Sequence, residues 1–430
     1  MAKKALGLKE LIAIAIGGMV GGGIFTILGI SVAMVGALAP FAIAIGGVFA
    51  LFAAYSYVKL GVYYKDEGAT YAFFKRTYPN SHLAASFIGW YTIFGYISTL
   101  ALYAYTFSSY ALSGYGENEY YTKALAVGII WIFALINIWS VKGMGKLEDF
   151  MVYIKLFILL SISIALIYFA KVDMHTFLET LKSDFANSTI FQILTVSAVT
   201  FVAYEGFQLV INAVNEMDNP DINIPKAIYT AVVIVALIYF IIALGSVLSI
   251  PAQDLIKNKE YALASGAKVI MGPIGEKLVV LGALLATSSA ISGTMFGSSR
   301  QMARIADDGY MPKVLQKRRG TIPTVAIVSM ATFGSLLIVS GGLRVILEFG
   351  SITFLLVSLL MAIANFKIKE KTKTHPIFAL IAIIGLIVGA VLILYYEYKT
   401  EYEQLIFIVA IYALLSLGAF IYSKFKEKND

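Results

Sequence analysis

The chain has 430 residues, 59% of them hydrophobic and only 14% charged, with a mean hydropathy of +0.82. Soluble domains carry about 25% charged residues, so a soluble enzyme or a nucleic-acid binder is excluded and a membrane protein is indicated. The net charge of +7 therefore needs a membrane explanation, and the absence of cysteine removes disulfides, thiolate chemistry and cysteine metal sites at once.

Apolar stretches of roughly 20 residues, enough to cross ~30 Å of hydrocarbon as a helix, recur about twelve times. They fall at 9–30, 38–62, 83–112, 123–141, 147–170, 190–217, 225–250, 277–306, 323–341, 345–366, 376–396 and 403–423. They are continuous rather than alternating, which excludes an outer-membrane barrel. Lys3, Lys4 and Lys9 precede the first stretch as in a signal peptide, but its apolar run continues past Ile30, so we read a retained first helix. With the N-terminus cytoplasmic, the inside segments hold 23 Lys and Arg against nine outside, with Lys155 inside a span. The positive-inside rule then puts both termini in the cytoplasm. The 171–189 and 251–276 segments read as loops, the latter either an extracellular lid or a plain surface loop.

The first stretch contains Ile16-Gly17-Gly18-Met19-Val20-Gly21-Gly22-Gly23-Ile24-Phe25. Five glycines weaken a helix by about 1 kcal/mol each against alanine. Gly17 with Gly21, and Gly18 with Gly22, have the four-residue spacing of a close-packing face. Gly21, Gly22 and Gly23 point all round, however, which favours an unwound segment. A break is tolerated in a bilayer only where protein or a watery cavity satisfies the freed amides and carbonyls, so this segment is a candidate binding site.

In the fifth stretch Lys155 lies about 9 Å beyond Asp149, at ~1.5 Å per residue. A lysine at that depth either functions or snorkels to the interface, and the sequence alone leaves both open. The sixth stretch holds a second irregular segment, Thr200-Phe201-Val202-Ala203-Tyr204-Glu205-Gly206-Phe207-Gln208. Two interrupted helices, each opening a half of the chain, are what a transporter built from two five-helix repeats shows. An odd number of helices per half makes the repeat inverted. Gln208, Asn212 and Glu216 continue at four-residue spacing as a polar seam, either a permeation lining or an interhelical hydrogen-bond strip. In the eighth stretch Thr287, Ser288, Ser289 and Ser292 supply hydroxyls or simply small packing residues. The three histidines show no metal-ligand spacing, and neither a metal nor any cofactor is expected.

Several motifs together resemble the amino acid/polyamine/organocation (APC) transporter superfamily. They are the glycine run of the first stretch, Asn137 with Val141-Lys142-Gly143-x-Gly145, Tyr204-x-Gly206-Phe207 followed by Asn219-Pro220 and Ile224-Pro225-Lys226-Ala227-Ile228, and Ser299-Arg300-x-Met302-Ala303-x-x-Ala306-x-Asp308-Gly309-x-x-Pro312. The resemblance implies an all-α membrane protein with the LeuT-like fold: a single membrane domain over 1–430, five-helix repeats at 9–170 and 190–366 related by inversion, discontinuous helices one and six, and two additional helices at 376–423. It also implies alternating access.

Carried over by that resemblance, Val20, Gly21, Gly22, Gly23 and Ile24 would meet a substrate carboxylate. Phe201, Ala203 and Glu205 would meet the amine and line the pocket, with Phe201 as an aromatic gate; core packing is the competing reading of that phenylalanine. The chemistry of a break agrees, because its bare amides suit a carboxylate and its free carbonyls an ammonium. A lysine at the place of Lys155 resembles the one in proton-coupled members of the family, where it stands in for a sodium ion. Its ammonium is then expected to bond to carbonyls near Gly17 and Gly18 and to Ser288 or Ser289.

Glu205 departs from the usual motif, in which that position is commonly apolar. Three roles compete for it: a cap for freed amides, a second proton site, or a counter-charge for a cationic substrate. The leading functional reading is a proton-coupled amino-acid symporter of the cytoplasmic membrane, with an amino acid and protons as its partners. An exchanger of amino acids or polyamines is the alternative. A cation channel would show rings of polar groups or filter loops, and an intramembrane enzyme would show a nucleophile beside a base within the spans; neither pattern is found in the sequence.

Overall fold

A computed structural model describes residues 6–115, 118–139 and 144–428. Lys3 and Lys4, and the Val141-Lys142-Gly143 part of the motif after the fourth stretch, lie outside the described residues. Within them the chain is helical, with no β-strand and only isolated bridges pairing Leu6 with Met217 and Arg319 with Ile322. Nine helical stretches among the described residues are long and apolar enough to cross a membrane, and Tyr153–Tyr168 and Thr324–Ser340 are shorter apolar helices.

The first half runs α1 (Leu8–Met19), α2 (Gly23–Val35), α3 (Ala39–Tyr64), α4 (Ala69–Thr77), α5 (His82–Leu112), α6 (Glu119–Trp139) and α7 (Met144–Tyr168). After α8 (Met174–Asn187) come α9 (Ile190–Val199), a 3-10 turn (Thr200–Tyr204), α10 (Leu209–Asn212), α11 (Pro220–Ser249), α12 (Ala252–Lys257) and α13 (Ala262–Asp307). The chain closes with α14 (Thr324–Ser340), α15 (Leu343–Lys367), α16 (Pro376–Thr400) and α17 (Tyr402–Glu427). Among the described residues each expected apolar stretch is largely helical, except the sixth, which leaves helix at 205–208 and 213–217.

Local chemistry sets the ends. Ser81 Oγ accepts the amide of Ala84 to start α5, and Thr189 with Gln192 forms a reciprocal capping box at α9. α11 opens on Asn219-Pro220, where proline at the first turn loses no hydrogen bond. α13 is two helices joined by a kink, because Pro273 disfavours helical geometry in the residue before it and Gly272 takes φ 71° instead.

Two segments expected as loops are ordered helix. In 171–189, Asp173 caps α8, whose Phe177 is buried. In 251–276, α12 and the start of α13 lie on α2 with Leu255, Ala262, Leu263 and Ala264 fully buried. There the Lys259 backbone comes so close to Gly29 that a Cβ on that glycine would sit 2.2 Å from the Lys259 carbonyl oxygen. Neither segment could be recognised by hydropathy, since both are short and mix charged with apolar residues.

Candidate functional site

Both suspected helix interruptions exist, and they touch. α1 stops at Met19, Val20 turns out of helical geometry (φ −82°, ψ 81°), and α2 restarts at Gly23. In the second, α9 tightens into the 3-10 turn, Glu205 is extended (ψ 145°), and helix resumes only briefly at α10. Gly206 has φ 121°, a conformation open to glycine, and a Cβ there would lie 2.4 Å from the Gly18 carbonyl carbon. The two breaks therefore cross with backbone against backbone, and glycine is required on both sides of the contact.

Freed carbonyls find donors from two further helices, α7 and α11, and α5 fastens the start of α2. The Lys155 ammonium of α7, 1% exposed, donates to the Gly17 carbonyl at 2.7 Å and to Ser289 Oγ of α13 at 3.1 Å. The hydroxyl of Tyr239 on α11 lies 3.1 Å from the Met19 carbonyl oxygen and 3.2 Å from that of Ala203, so one proton serves both breaks. Tyr110 of α5 donates to the Phe25 carbonyl at 2.8 Å, and Thr26 pairs with Thr106 at 2.6 Å. The Lys155 and Tyr239 bonds satisfy groups that a hydrocarbon environment would leave unpaired at a cost of several kcal/mol each.

A cavity of about 520 Å³ runs from this crossing to the surface. Its inner wall includes Gly18, Gly206, Tyr96, Tyr103, Glu205 and Gln208, and its outer wall the exposed Glu67, Asn212, Arg304 and Arg318. Glu205 is 4% exposed; its Oε2 accepts from Gln208 Nε2 at 2.9 Å, and its Oε1 has no hydrogen-bond partner among the described residues. The freed amide of Gly206 is capped at 3.1 Å by Gln208 Oε1, not by Glu205. One residue of the cavity wall thus carries a buried carboxylate oxygen that is unpaired among the described residues.

The residues expected to line a pocket divide. Glu205 reaches the cavity, as does Gly18, expected beside the Lys155 ammonium instead. Val20, Gly21, Gly22, Gly23, Ile24, Phe201 and Ala203 are buried beside it without lining it. Tyr103 stands over the first break, with its ring 2.7 Å from where a Gly21 Cβ would be, and Ala203 fills the space beside Gly23. Phe201 is fully buried. Of the expected hydroxyls, Ser289 meets the ammonium and Ser288 is half-buried on a neighbouring face; of the expected carbonyls, Gly17 accepts and Gly18 packs on Gly206. The polar seam is not a regular helix, yet Gln208 and Asn212 do line the cavity. Tyr239 and Tyr103 escaped sequence reasoning because 27 tyrosines give no signal for which two face the breaks. His82, His175 and His375 form no cluster able to hold a metal among the described residues.

The amino acid permease family model matches residues 6–422. The chain is 28% identical to an uncharacterised protein of Methanocaldococcus jannaschii, covering 99% of this chain and 97% of that one. It is 30% identical to the inner membrane transport protein YbaT of Escherichia coli, over 97% and 92%. It is 25% identical to the serine/threonine exchanger SteT of Bacillus subtilis, over 72% and 70%.

Proposed function

This chain belongs to the amino acid permease family, an integral membrane transporter of amino acids and not an enzyme, and from that premise we propose that it is a proton-coupled symporter working by alternating access. In this reading it has twelve spans, two five-helix repeats related by inversion, and both termini on the cytoplasmic side of the plasma membrane. The exposed arginines at the cavity mouth belong to the cation-rich inside segments, so the cavity opens inward.

The observation that carries the reading is the Lys155 ammonium between the Gly17 carbonyl and Ser289. A protonated lysine ties α7 and α13 to the end of α1. Loss of the proton leaves an amine that no longer attracts the negative end of the α1 dipole, and the contact loosens. Movement of α1 against α13 then exchanges access between the two sides.

In the same reading the substrate carboxylate meets the amides of Val20, Gly21, Gly22, Gly23 and Ile24 once Tyr103 turns aside. The substrate amine meets the free carboxylate oxygen of Glu205 and the carbonyls around Phe201 and Ala203. Gly18 sets the distance between the breaks, and Ser288 is the second hydroxyl within reach of α7 when α13 shifts.

Exchange is the second reading, favoured by the likeness to a serine/threonine exchanger. The deciding experiment is uptake of a panel of labelled amino acids into proteoliposomes under an inward proton gradient, a sodium gradient, or internal unlabelled substrate, each alone. Symport predicts accumulation under the proton gradient. Uptake that requires internal substrate would replace symport by exchange.

A further inference from the structure

At the end of the bundle where the cavity opens, the turn after α15 meets the end of α3 and forms two adjoining clefts of about 670 and 530 Å³ that share Tyr63, Tyr64 and Lys371. Lys59, Lys65, Lys371 and Lys373 line the larger, and Arg76 and Lys369 the smaller, against one carboxylate in each wall, Asp221 and Glu370. Two of these cations are neutralised, Lys65 by Asp221 at 2.8 Å and Arg76 by Asp66 at 2.6 Å. Among the described residues Lys59, Lys371 and Lys373 have no carboxylate within ion-pair distance.

The backbone holds this charge in place. Lys59 Nζ donates to the Lys373 carbonyl at 2.9 Å, fastening the turn to α3. Lys65 and Lys373 have φ of 47° and 51°, left-handed values that residues with a Cβ seldom take. A turn free to relax would place glycine at such positions; here both carry lysine into the cleft.

One wall continues into an apolar belt. Ile377 and Phe378, at the start of α16, are 61% and 58% exposed. Phe378 meets Tyr55, which lines the larger cleft, edge to face at 6.0 Å. A cation cluster joined to an exposed apolar helix face at the end of a membrane bundle matches an amphiphile with an anionic head. A free phosphate would use the lysines and leave the α16 face unexplained.

We propose that this cleft binds an anionic phospholipid, with the phosphate on Lys59, Lys371 and Lys373 and an acyl chain along Ile377 and Phe378. The test is native mass spectrometry and thermal stability of the full chain in detergent, titrated separately with phosphatidylglycerol, phosphatidylcholine and inorganic phosphate. Phosphatidylglycerol is expected to be retained and to raise the melting temperature, and the other two are not. Lys371→Gln with Lys373→Gln should weaken retention about twenty-five-fold, from about fivefold per lysine near an anionic surface. Lys371→Arg with Lys373→Arg should keep it, and so should Lys313→Gln with Lys317→Gln, an equal charge loss elsewhere. Equal retention of phosphatidylcholine, an equal response to phosphate alone, or equal loss in both glutamine pairs would overturn the proposal.

Discussion

Lys155 Nζ lies 2.7 Å from the carbonyl oxygen of Gly17, one of the last carbonyls of α1 before its helix breaks. The bond joins a buried cation to the negative end of a half-helix, and Ser289 completes its surroundings from α13. Lys155→Gln is one atom shorter and keeps an N–H donor group but removes the charge. Substrate binding in this variant should lose its pH dependence while affinity at the wild type's best pH changes little. Binding titrations across pH check this, and an unchanged pH profile would count against a coupling role. Ser289→Ala, which removes one neutral partner of a charged donor, should cost about 1.5–3 kcal/mol of that contact.

Glu205 lines the cavity with Oε2 held by Gln208 and Oε1 unpaired among the described residues. Glu205→Gln should weaken substrate binding by roughly tenfold to a hundredfold, the worth of about 1.5–3 kcal/mol for a charged hydrogen bond, with little change in melting temperature. Isothermal titration alongside thermal unfolding separates this from a structural role, which would lower the melting temperature and spare affinity. If the loss is confined to lysine, arginine and diamines, Glu205 reads a side-chain charge rather than the α-amine.

Gly206→Ala places a methyl 2.4 Å from the Gly18 carbonyl carbon at φ 121°. The two breaks must then part, and uptake should be abolished together with a clear fall in thermal stability. Gly128→Ala is the control. That glycine sits inside α6 with nothing within 4 Å of its would-be Cβ, so the change should leave uptake intact and gain up to ~1 kcal/mol.

Arg344 is shared by three carboxylates: Glu348 at 2.8 Å, Glu397 at 3.4 Å and Glu401 at 3.2 Å. Glu348 and Glu397 are 1% and 0% exposed. Arg344→Met removes their cation and should destabilise the protein by about 3–5 kcal/mol. Adding Glu348→Gln and Glu397→Gln should restore most of that loss, which thermal unfolding of the series would reveal. No recovery would mean that Arg344 acts through packing.

Asp173 accepts the Thr176 amide at 3.0 Å and the Thr176 hydroxyl at 2.9 Å at the start of α8. These bonds hold its carboxyl below the ordinary carboxylate range. Its support for α8 is therefore present above the unfolded value and lost as pH falls through the lowered folded one. Hydrogen exchange of 174–187 should accelerate at acid pH, and Asp173→Asn should remove that acid step.

Long apolar stretches made nearly every helix legible, because hydrocarbon thickness dictates their length. The breaks were legible for the same reason in reverse: three consecutive glycines at 21–23 and a glycine beside a carboxylate at 205–206 defy a helix where a helix is obligatory. Lys155 could be placed by its depth and assigned a neighbourhood by resemblance. What escaped was whatever depends on which face of a uniformly apolar helix turns inward. Tyr103, Tyr239 and Arg344 belong to that class, since hydropathy is the same on every side of their helices. The helices in 171–189 and 251–276 escaped because packing on α2 and neighbouring segments, rather than hydropathy, orders them.

The most direct test of proton coupling through Lys155 is the pH inside proteoliposomes, read with a trapped indicator when substrate is added outside with no pre-existing gradient. The account predicts that substrate entry acidifies the lumen of wild-type vesicles, and that Lys155→Ala vesicles take up substrate without acidification or not at all. Uptake by the wild type with no change in lumenal pH, or unaltered acidification in the Lys155 variant, would contradict it.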